Sequence, residues 1–344
     1  MYEPPLSYKP YSMRKKAVLL FSGGLDSLLV SYLAKKEGID TFALYFHTVF
    51  SHHSKKEAEK KYASQLKNLG IPLRIIDFSF SHIKMVKKPF YGYGANLNPC
   101  IDCKIFMFNK AKEYMRKIGA SFIITGEVLG ERPMSQRRDV FNKIEKVTGL
   151  SGLILRPLSA KLLKQTFPEE NNLIKQENLY SIAGRSRRSQ FILAEKFGIK
   201  NFSTPSGGCL LTNPSFCQRL KDLLFYSPHI SLCDCELLKI GRHFRLNSYT
   251  KIIVVRNKNE ERRLKKFRKN VIRFYPYNTD GPYAIGRGRF NFPLIRKACL
   301  IISRYCRKEN IPLVIKVKDN REYFVRIERV VSHKEIEKFL IGAK

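Results

Sequence analysis

The sequence predicts an α/β protein: a doubly wound parallel sheet followed by a smaller basic α+β module. Two observations carry this. Across residues 17–126, short apolar runs alternate with helix-length amphipathic stretches, the pattern of consecutive βαβ units. From Leu237 onward the pattern changes to short β-branched runs set among lysines and arginines. The expected organisation is an N-terminal arm over 1–14, the doubly wound domain over 15–225 and the basic domain over 237–344.

The elements follow in order. Ala17–Phe21 (AVLLF) is a continuous apolar run, as a strand buried on both faces requires. SGGLDS (Ser22–Ser27) is its turn, and LLVSYLAKKEG is a helix stopping at Gly38, a C-cap residue. Thr41–Phe46 is the second strand, Ser54 to Leu69 a charged amphipathic helix, and Leu73–Phe78 the third strand. After a loop rich in Gly, Asn and Pro comes a helix from Cys100 to Lys117, then a fourth strand, Phe122–Gly126. Residues 127–186 show no clear periodicity. Arg187–Phe197 is again helical, Thr204–Leu211 (TPSGGCLL) is turn-rich, and Phe216–Leu224 is a helix. In the tail, KIIVV, PLVIKV and YFVRIERVV read as strands and NKNEERRLKKFRK as a basic helix. In doubly wound sheets ligands bind beyond the carboxyl ends of the strands. SGGLDS and the segment opening at Gly126, TGEVLGERPMSQ, both sit there, so Gly126 joins the candidate cofactor-binding residues.

Charge narrows the class of partner. The 344 residues carry 64 Lys and Arg against 29 Asp and Glu, a formal net charge of +35. Residues 241–344 hold 27 of the basic and 9 of the acidic side chains, net +18 in 104 residues. That density points to a polyanion, and the tail is its main grip. No apolar run approaches the roughly 20 residues that cross a bilayer. MYEPPLSYKPYSMRKK lacks the apolar core of a secretory signal. A cytoplasmic location with no membrane partner is expected, and the eight cysteines are therefore reduced thiols available to metal or redox chemistry.

Ser22-Gly23-Gly24-Leu25-Asp26-Ser27 is the strongest motif. Glycines let backbone N–H groups approach an anion closely, and the helix N-terminus adds favourable partial charge. Ser22 and Ser27 supply hydroxyl donors for phosphate oxygens. Asp26 is out of place in a purely anionic site and makes sense as the ligand of a Mg²⁺ ion bridging to phosphate. The loop has no Gly-Lys-Ser/Thr and is not a Walker A motif. SGGLDS resembles the signature of the PP-loop ATP pyrophosphatases, a HUP-like fold family that cleaves ATP between its α and β phosphates to adenylate a substrate oxygen. By position, the resemblance implies that Ser22, Gly23, Gly24 and Ser27 cradle pyrophosphate, with Asp26 near the metal and a catalytic residue.

The cysteines narrow the chemistry. Asn98-Pro99-Cys100-Ile101-Asp102-Cys103-Lys104 opens a helix, with Asn98 as expected N-cap and Pro99 in the first helical position. Cys100 and Cys103 share a face, and the helix N-terminus with Lys104 is expected to favour thiolate. Cys209, in SGGCLL (Ser206–Leu211), is the third thiol. The Asn-Pro-x-x-x-Cys pattern resembles the tRNA 2-thiouridine synthases, whose catalytic cysteine falls at Cys103 and whose second cysteine is best matched by Cys209. CxxC plus one distant cysteine resembles the iron–sulfur-dependent tRNA thiolases, including archaeal-type 4-thiouridine synthases. That resemblance implies a [4Fe-4S] cluster held by Cys100, Cys103 and Cys209, with one iron left to bind sulfide. Two other readings stay open. Cys103 and Cys209 would act as a nucleophile and persulfide pair without metal, or Cys233 and Cys235 would join Cys100 and Cys103 around Zn²⁺. Cys217, Cys299 and Cys306 are isolated.

The tail segments LLKIGRHFRL and IIVVRNKNEERRLKKF resemble the RNA-binding region of the NFACT family, with Arg256, Asn257 and Glu260 through Arg263 matching in kind. His47, His52 and His53 form a small cluster after the second strand, and Arg132, Arg156, Arg185, Arg187 and Arg188 are candidate contacts to phosphates. The combined reading is an ATP-dependent tRNA uridine sulfurtransferase. Its cofactors are ATP, Mg²⁺ and a cluster, and its partners are tRNA and a sulfide or persulfide donor. The alternatives are a PP-loop ligase acting on a carboxylate, and an RNA-binding protein whose nucleotide domain is inactive.

Overall fold

The computed structural model describes residues 15–200, 202, 209–307 and 312–342. The expected arm over 1–14 and the Ser206-Gly207-Gly208 turn lie outside the described residues. The chain divides into two compact units after Thr212.

The first unit runs β1 (Lys16–Leu20), α1 (Leu25–Lys36), β2 (Asp40–His47), α2 (Lys55–Lys67), β3 (Leu73–Asp77), α3 (Ser79–Lys87) and α4 (Cys100–Ile118). It continues with β4 (Phe122–Thr125), α5 (Arg138–Thr148), β5 (Ile154–Leu155), α6 (Phe167–Glu170) and α7 (Arg188–Lys196). All five strands are parallel in the order β3-β2-β1-β4-β5. The apolar runs at β1 and β4 have the cause expected of them, because both faces are covered. Ala17, Leu19, Phe122 and Ile124 point into one core, shared with α1 and α2. Val18 and Ile123 point into the other, shared with Phe108 and Met115 of α4 and Ile144 of α5. Helices on both faces make this the doubly wound sheet the alternation implied.

The second unit runs α8 (Pro214–Tyr226), α9 (Leu232–Leu237), β6 (Arg242–Asn247), β7 (Thr250–Val254), α10 (Lys258–Leu264) and β8 (Ile272–Pro276). Then come β9 (Ala284–Arg287), α11 (Phe292–Ser303), β10 (Leu313–Lys318), β11 (Glu322–Ile327) and α12 (His333–Glu337). Its sheet is antiparallel, in the order β11-β10-β8-β9-β7-β6. One face packs on α11 through Phe274, Ile315, Val317 and Val325 against Ala298 and Ile302. The other carries a second cluster, in which Ile253 of β7 and Ile285 of β9 meet Leu237, Ile240 and Leu264, with Tyr275 of β8 packed against it.

Several elements depart from the sequence reading. The helix expected over 216–224 belongs to the second unit, where Asp222 accepts a 3.0 Å bond from Nε of Arg245 on β6. Helices α3, α5 and α11 and strands β5, β6, β8 and β9 were not anticipated. The basic helix expected over 257–269 stops at Leu264, and the chain reaches a left-handed Asn270 (φ 54°) before β8. No helix among the described residues is long and apolar enough to cross a membrane.

Candidate active site

The strand order reverses between β1 and β4, which pair in parallel with Leu20 opposite Thr125. A crevice opens beyond the carboxyl ends of strands at such a switch point. A pocket of about 800 Å³ sits there, lined by the loop after β1, the segment after β4, the start of α4 and Cys209. All of its lining residues lie in the first unit.

The SGGLDS loop is built on two close approaches. Gly23 has φ 75°, and a Cβ there would fall inside the Tyr62 ring. A Cβ on Gly126 would lie 2.6 Å from the Asp26 carbonyl carbon and 2.7 Å from the Ser27 nitrogen. Gly126 therefore lets the end of β4 press against the first turn of α1. Ser22, Gly24, Asp26 and Ser27 line the pocket. The Ser27 hydroxyl donates to the Gly24 carbonyl at 2.8 Å and lies 3.2 Å from the Ser22 hydroxyl. No side chain caps the N-terminus of the 12-residue α1, so its first-turn N–H groups face the pocket end uncapped.

Asp26 meets Arg187, whose Nη2 lies 3.2 Å from Oδ2, and Arg187 Nε stands 3.7 Å from Glu131. Burial pushes the Asp26 carboxyl up, against the pull of Arg187. Glu131 is pushed up by burial and by the Asp26 charge. Arg132 and Arg187 both line the pocket. Arg156 does not serve there. It is 3% exposed and holds Glu127 at 3.1 Å and Glu145 at 2.6 Å, a buried brace beneath the site. Arg185 and Arg188 are exposed, and His47 is tied to Asp77 at 3.4 Å, while His52 and His53 line the pocket.

Helix α4 starts at Cys100 as expected, but with Pro99 rather than Asn98 as the N-cap residue and no side-chain cap. Asn98 does not cap through its side chain; its carbonyl accepts the Gly94 and Cys100 N–H groups. Asp102 accepts from the Phe90 and Tyr91 N–H groups at 2.9 and 3.1 Å, pinning the preceding loop to the helix. Cys209 is brought to the same wall by backbone bonds. Leu210 N donates to Phe50 O at 3.0 Å, and Leu97 N donates to Leu211 O at 3.2 Å. Cys100, Cys103 and Cys209 all line the pocket.

The expected activation of these thiols is overturned. Burial pushes the Cys103 thiol far up, and the neighbouring Cys209 and Cys100 push it further. Cys100 is raised by burial too, although Lys104 opposes this. Burial is the main cause, and Lys104, which pulls the other way, is itself paired. Its ammonium is held by Glu127 and donates to the Ser135 carbonyl at 2.7 Å. Burial alone would raise Glu127, but Lys104 and Arg156 outweigh it and hold the carboxyl below its usual range. The lysine charge is thus largely neutralised by a carboxylate rather than left to stabilise a thiolate.

Among the described residues, no group of three or more His, Cys, Asp or Glu is gathered as a metal-ion site. Cys233 and Cys235, the other two thiols of the zinc reading, lie on α9 of the second unit. Cys217, Cys299 and Cys306 are buried. One pocket residue escaped the sequence reading. His82 is 2% exposed, and burial pushes its pKa down to about 4. Its Nδ1 meets the Thr48 hydroxyl at 2.8 Å and its Nε2 has no hydrogen-bond partner. No motif surrounds it, and only the close of α3 against β2 makes it part of the site.

Fold and site together define a nucleotide-type α/β pocket with a glycine-rich anion loop on one side and a set of thiols on another. Two family models match the chain. Residues 12–166 match the thiamine biosynthesis protein (ThiI) family, and residues 241–340 match the NFACT protein RNA binding domain. The chain is 35% identical over 123 residues to the tRNA-specific 2-thiouridylase MnmA of Sulfurimonas denitrificans, covering 34% of this chain and 36% of that protein. It is 32% identical over 123 residues to a probable tRNA sulfurtransferase of Methanosarcina mazei, covering 36% of this chain and 30% of that one. It thus spans about a third of each of these relatives. A crystal structure of a 4-thiouridine synthetase–RNA complex with bound ATP overlays with a TM-score of 0.34 at 20% identity, over 54% of this chain and 51% of that one.

Proposed function

We propose that the chain is an ATP-dependent tRNA uridine sulfurtransferase. The observation that carries this is the meeting, in one pocket, of the SGGLDS loop with Cys100, Cys103 and Cys209. An anion loop alone would suit any nucleotide enzyme; a second wall of thiols suits one that activates a carbonyl and then delivers sulfur to it.

The uridine carbonyl oxygen attacks the α-phosphorus of ATP in line, and pyrophosphate leaves into the loop. The Ser22 and Ser27 hydroxyls and the first-turn N–H groups of α1 meet the charge that develops on it. Arg132 and Arg187 flank the same space and neutralise phosphate charge. A sulfur nucleophile then adds to the activated carbon and AMP departs. Sulfide adds directly. From a persulfide carrier the sulfur would be passed to Cys103, and its terminal atom would add to the carbon. The Cys209 thiol would then cleave the S–S bond, releasing thiouridine and leaving a Cys103–Cys209 disulfide for an external thiol to reduce.

Asp26 is the oxygen donor that would hold Mg²⁺, with Glu131 beside it. Three thiols without a fourth form a soft donor set that suits a [4Fe-4S] cluster with one iron unligated by protein. A cluster spreads its cysteines over separate irons, so it does not need the single tight coordination sphere that one ion demands. When bound, the cluster supplies a place to hold sulfide. Cys103, Cys100 and Cys209 would be its ligands, and their half-buried thiols would release their protons to solvent as iron binds.

The test is anaerobic purification with iron and sulfide analysis, then mass spectrometry of nucleosides from tRNA incubated with ATP and sulfide. Thiouridine is the expected product. Thiolation by a colourless, iron-free protein would remove the cluster and leave sulfide itself as the nucleophile on the activated carbon. Unmodified nucleosides under every condition would remove sulfur transfer altogether.

A further inference from the structure

The uncovered part of the second sheet does not match a merely solvated surface. On β10, Leu313, Ile315 and Val317 point into the core, so Val314, Lys316 and Lys318 point out. The register carries this face across its neighbours. Lys316 lies opposite Phe324 on β11 and Tyr275 on β8, and Val314 lies opposite Arg326. Tyr277 extends the pairing of β8, its N–H donating to the Val314 carbonyl at 2.8 Å. The rings of Tyr277 and Phe324 meet edge to face, with centroids 4.9 Å apart, although the two residues are 67% and 53% exposed.

The row continues toward the basic helix. Tyr275 meets the buried Tyr283 at a tilt, centroids 5.0 Å apart, and Nζ of Lys265 on α10 stands 5.6 Å over the Tyr283 ring. Tyr283 thus anchors Tyr275 between the buried cluster and the open face. Glu322 bridges Lys316 and Lys318 at 2.7 and 2.6 Å, and Glu328 holds Arg326 at 3.0 Å in an exposed pair. Glu322 holds the lysine ammonium groups over the sheet, where a phosphate can take its place.

We infer that the β8-β10-β11 face is a stacking platform for unpaired nucleotides of an RNA, with Tyr277 and Phe324 receiving bases and Lys316, Lys318 and Arg326 following the backbone. The inference rests on the proposal that RNA is the substrate and goes beyond it, since it places a single-stranded contact on a named surface. Open sheet faces with exposed rings bind bases by stacking, with the cations adding salt-dependent affinity. A duplex hides its base faces and gains nothing from the rings. The net charge of +18 over 241–344 selects a polyanion over an apolar protein surface.

The experiment measures binding of the full chain to a fluorescent single-stranded RNA and to a duplex of the same length, across a salt series, without ATP or sulfur. The Tyr277→Ala/Phe324→Ala variant is expected to bind the single strand about tenfold or more weakly, with an unchanged salt slope and near-unchanged duplex binding. Lys316→Gln/Lys318→Gln should instead flatten the slope by about 0.7 per lysine. Tyr249→Ala, removing a 77% exposed ring outside this face, is the control and should bind as the parent does. Equal loss on duplex and single strand, no loss in the aromatic variant, or a change in its sedimentation (a protein contact instead) would each overturn the inference. A parent that binds single strands but never thiolates tRNA would end the sulfurtransferase reading and leave this one standing.

Discussion

Cys103 shows how far a motif can be right about place and wrong about state. Its position at the head of α4 is where the sequence puts it, yet burial pushes its thiol up where the helix start and Lys104 were expected to bring it down. The expectation counted the charge of Lys104, which is held by Glu127, 23 residues away and unmarked by any motif, and left out the burial that outweighs it. Alkylation order tests the state. At neutral pH iodoacetamide should modify exposed Cys233 well before Cys103, read by peptide mass spectrometry; equal rates would mean that Cys103 is open and charged. Glu127 gives a second test. Its carboxyl titrates below its ordinary value of 4.5, so the stability it contributes is fully present above pH 4.5 and is lost as pH falls through its depressed folded value. Asp26 and Glu131 are raised and act with the opposite sign. Glu127→Gln should destabilise by about 3 kcal/mol at pH 7, because Lys104 stays buried and loses its counter-charge while Arg156 is left with Glu145 alone. The gap from the parent in urea unfolding should narrow in acid, and a constant gap would show that Glu127 is not the titrating group.

At the level of elements, what was legible is what local chemistry dictates. The β1 and β4 runs, buried on both faces, and the helices ended by Gly38 and Gly119 follow from composition and spacing alone. Helix α5 also had its signal, with Val140, Phe141, Ile144 and Thr148 on one side, but the polar stretches on either side of it obscured the period. Strand β5 could not have been read, since two residues carry no period and pairing with β4 alone defines them. The junction of β4 with α1 joins local and tertiary constraint. Gly126 reads from sequence as a turn residue at a strand end, while the structure makes it a spacer against Asp26 and Ser27. Gly126→Ala must push those two backbones apart. A displacement near 1 Å should weaken ATP binding by about tenfold or more and lower the melting temperature by several degrees. Titration of nucleotide by calorimetry checks this; parent-like affinity would show that the loop tolerates a wider seat.

For the whole molecule, the excess of 35 positive charges is the most visible property of the sequence, and the least local in origin. It could be read before any element was known, but composition does not say which cations are spent internally. Arg245 is spent on Asp222 and Arg287 on Asp234, and Arg256 and Asn257 cap α10, Arg256 donating its N–H to Glu260 at 2.7 Å. Arg262 and Arg263 on the outer side of α10 are exposed. The Arg-Asn pair singled out by resemblance therefore builds the helix start, and Arg262 and Arg263 after it face solvent, where the proposed RNA would meet them. Counterion release makes affinity fall with the logarithm of salt in proportion to the phosphates neutralised, with a slope of about 0.9 per contact on duplex RNA treated like B-form DNA. Replacing both arginines by serine should weaken tRNA binding and lower that slope by about 1.8, without changing ATP affinity in the absence of RNA. Fluorescence titrations between about 50 and 200 mM salt measure it over the range where such contacts are most sensitive. A parent slope retained in the double variant would assign the helix to solvent, and leave the sheet face and the remaining basic side chains to hold the RNA.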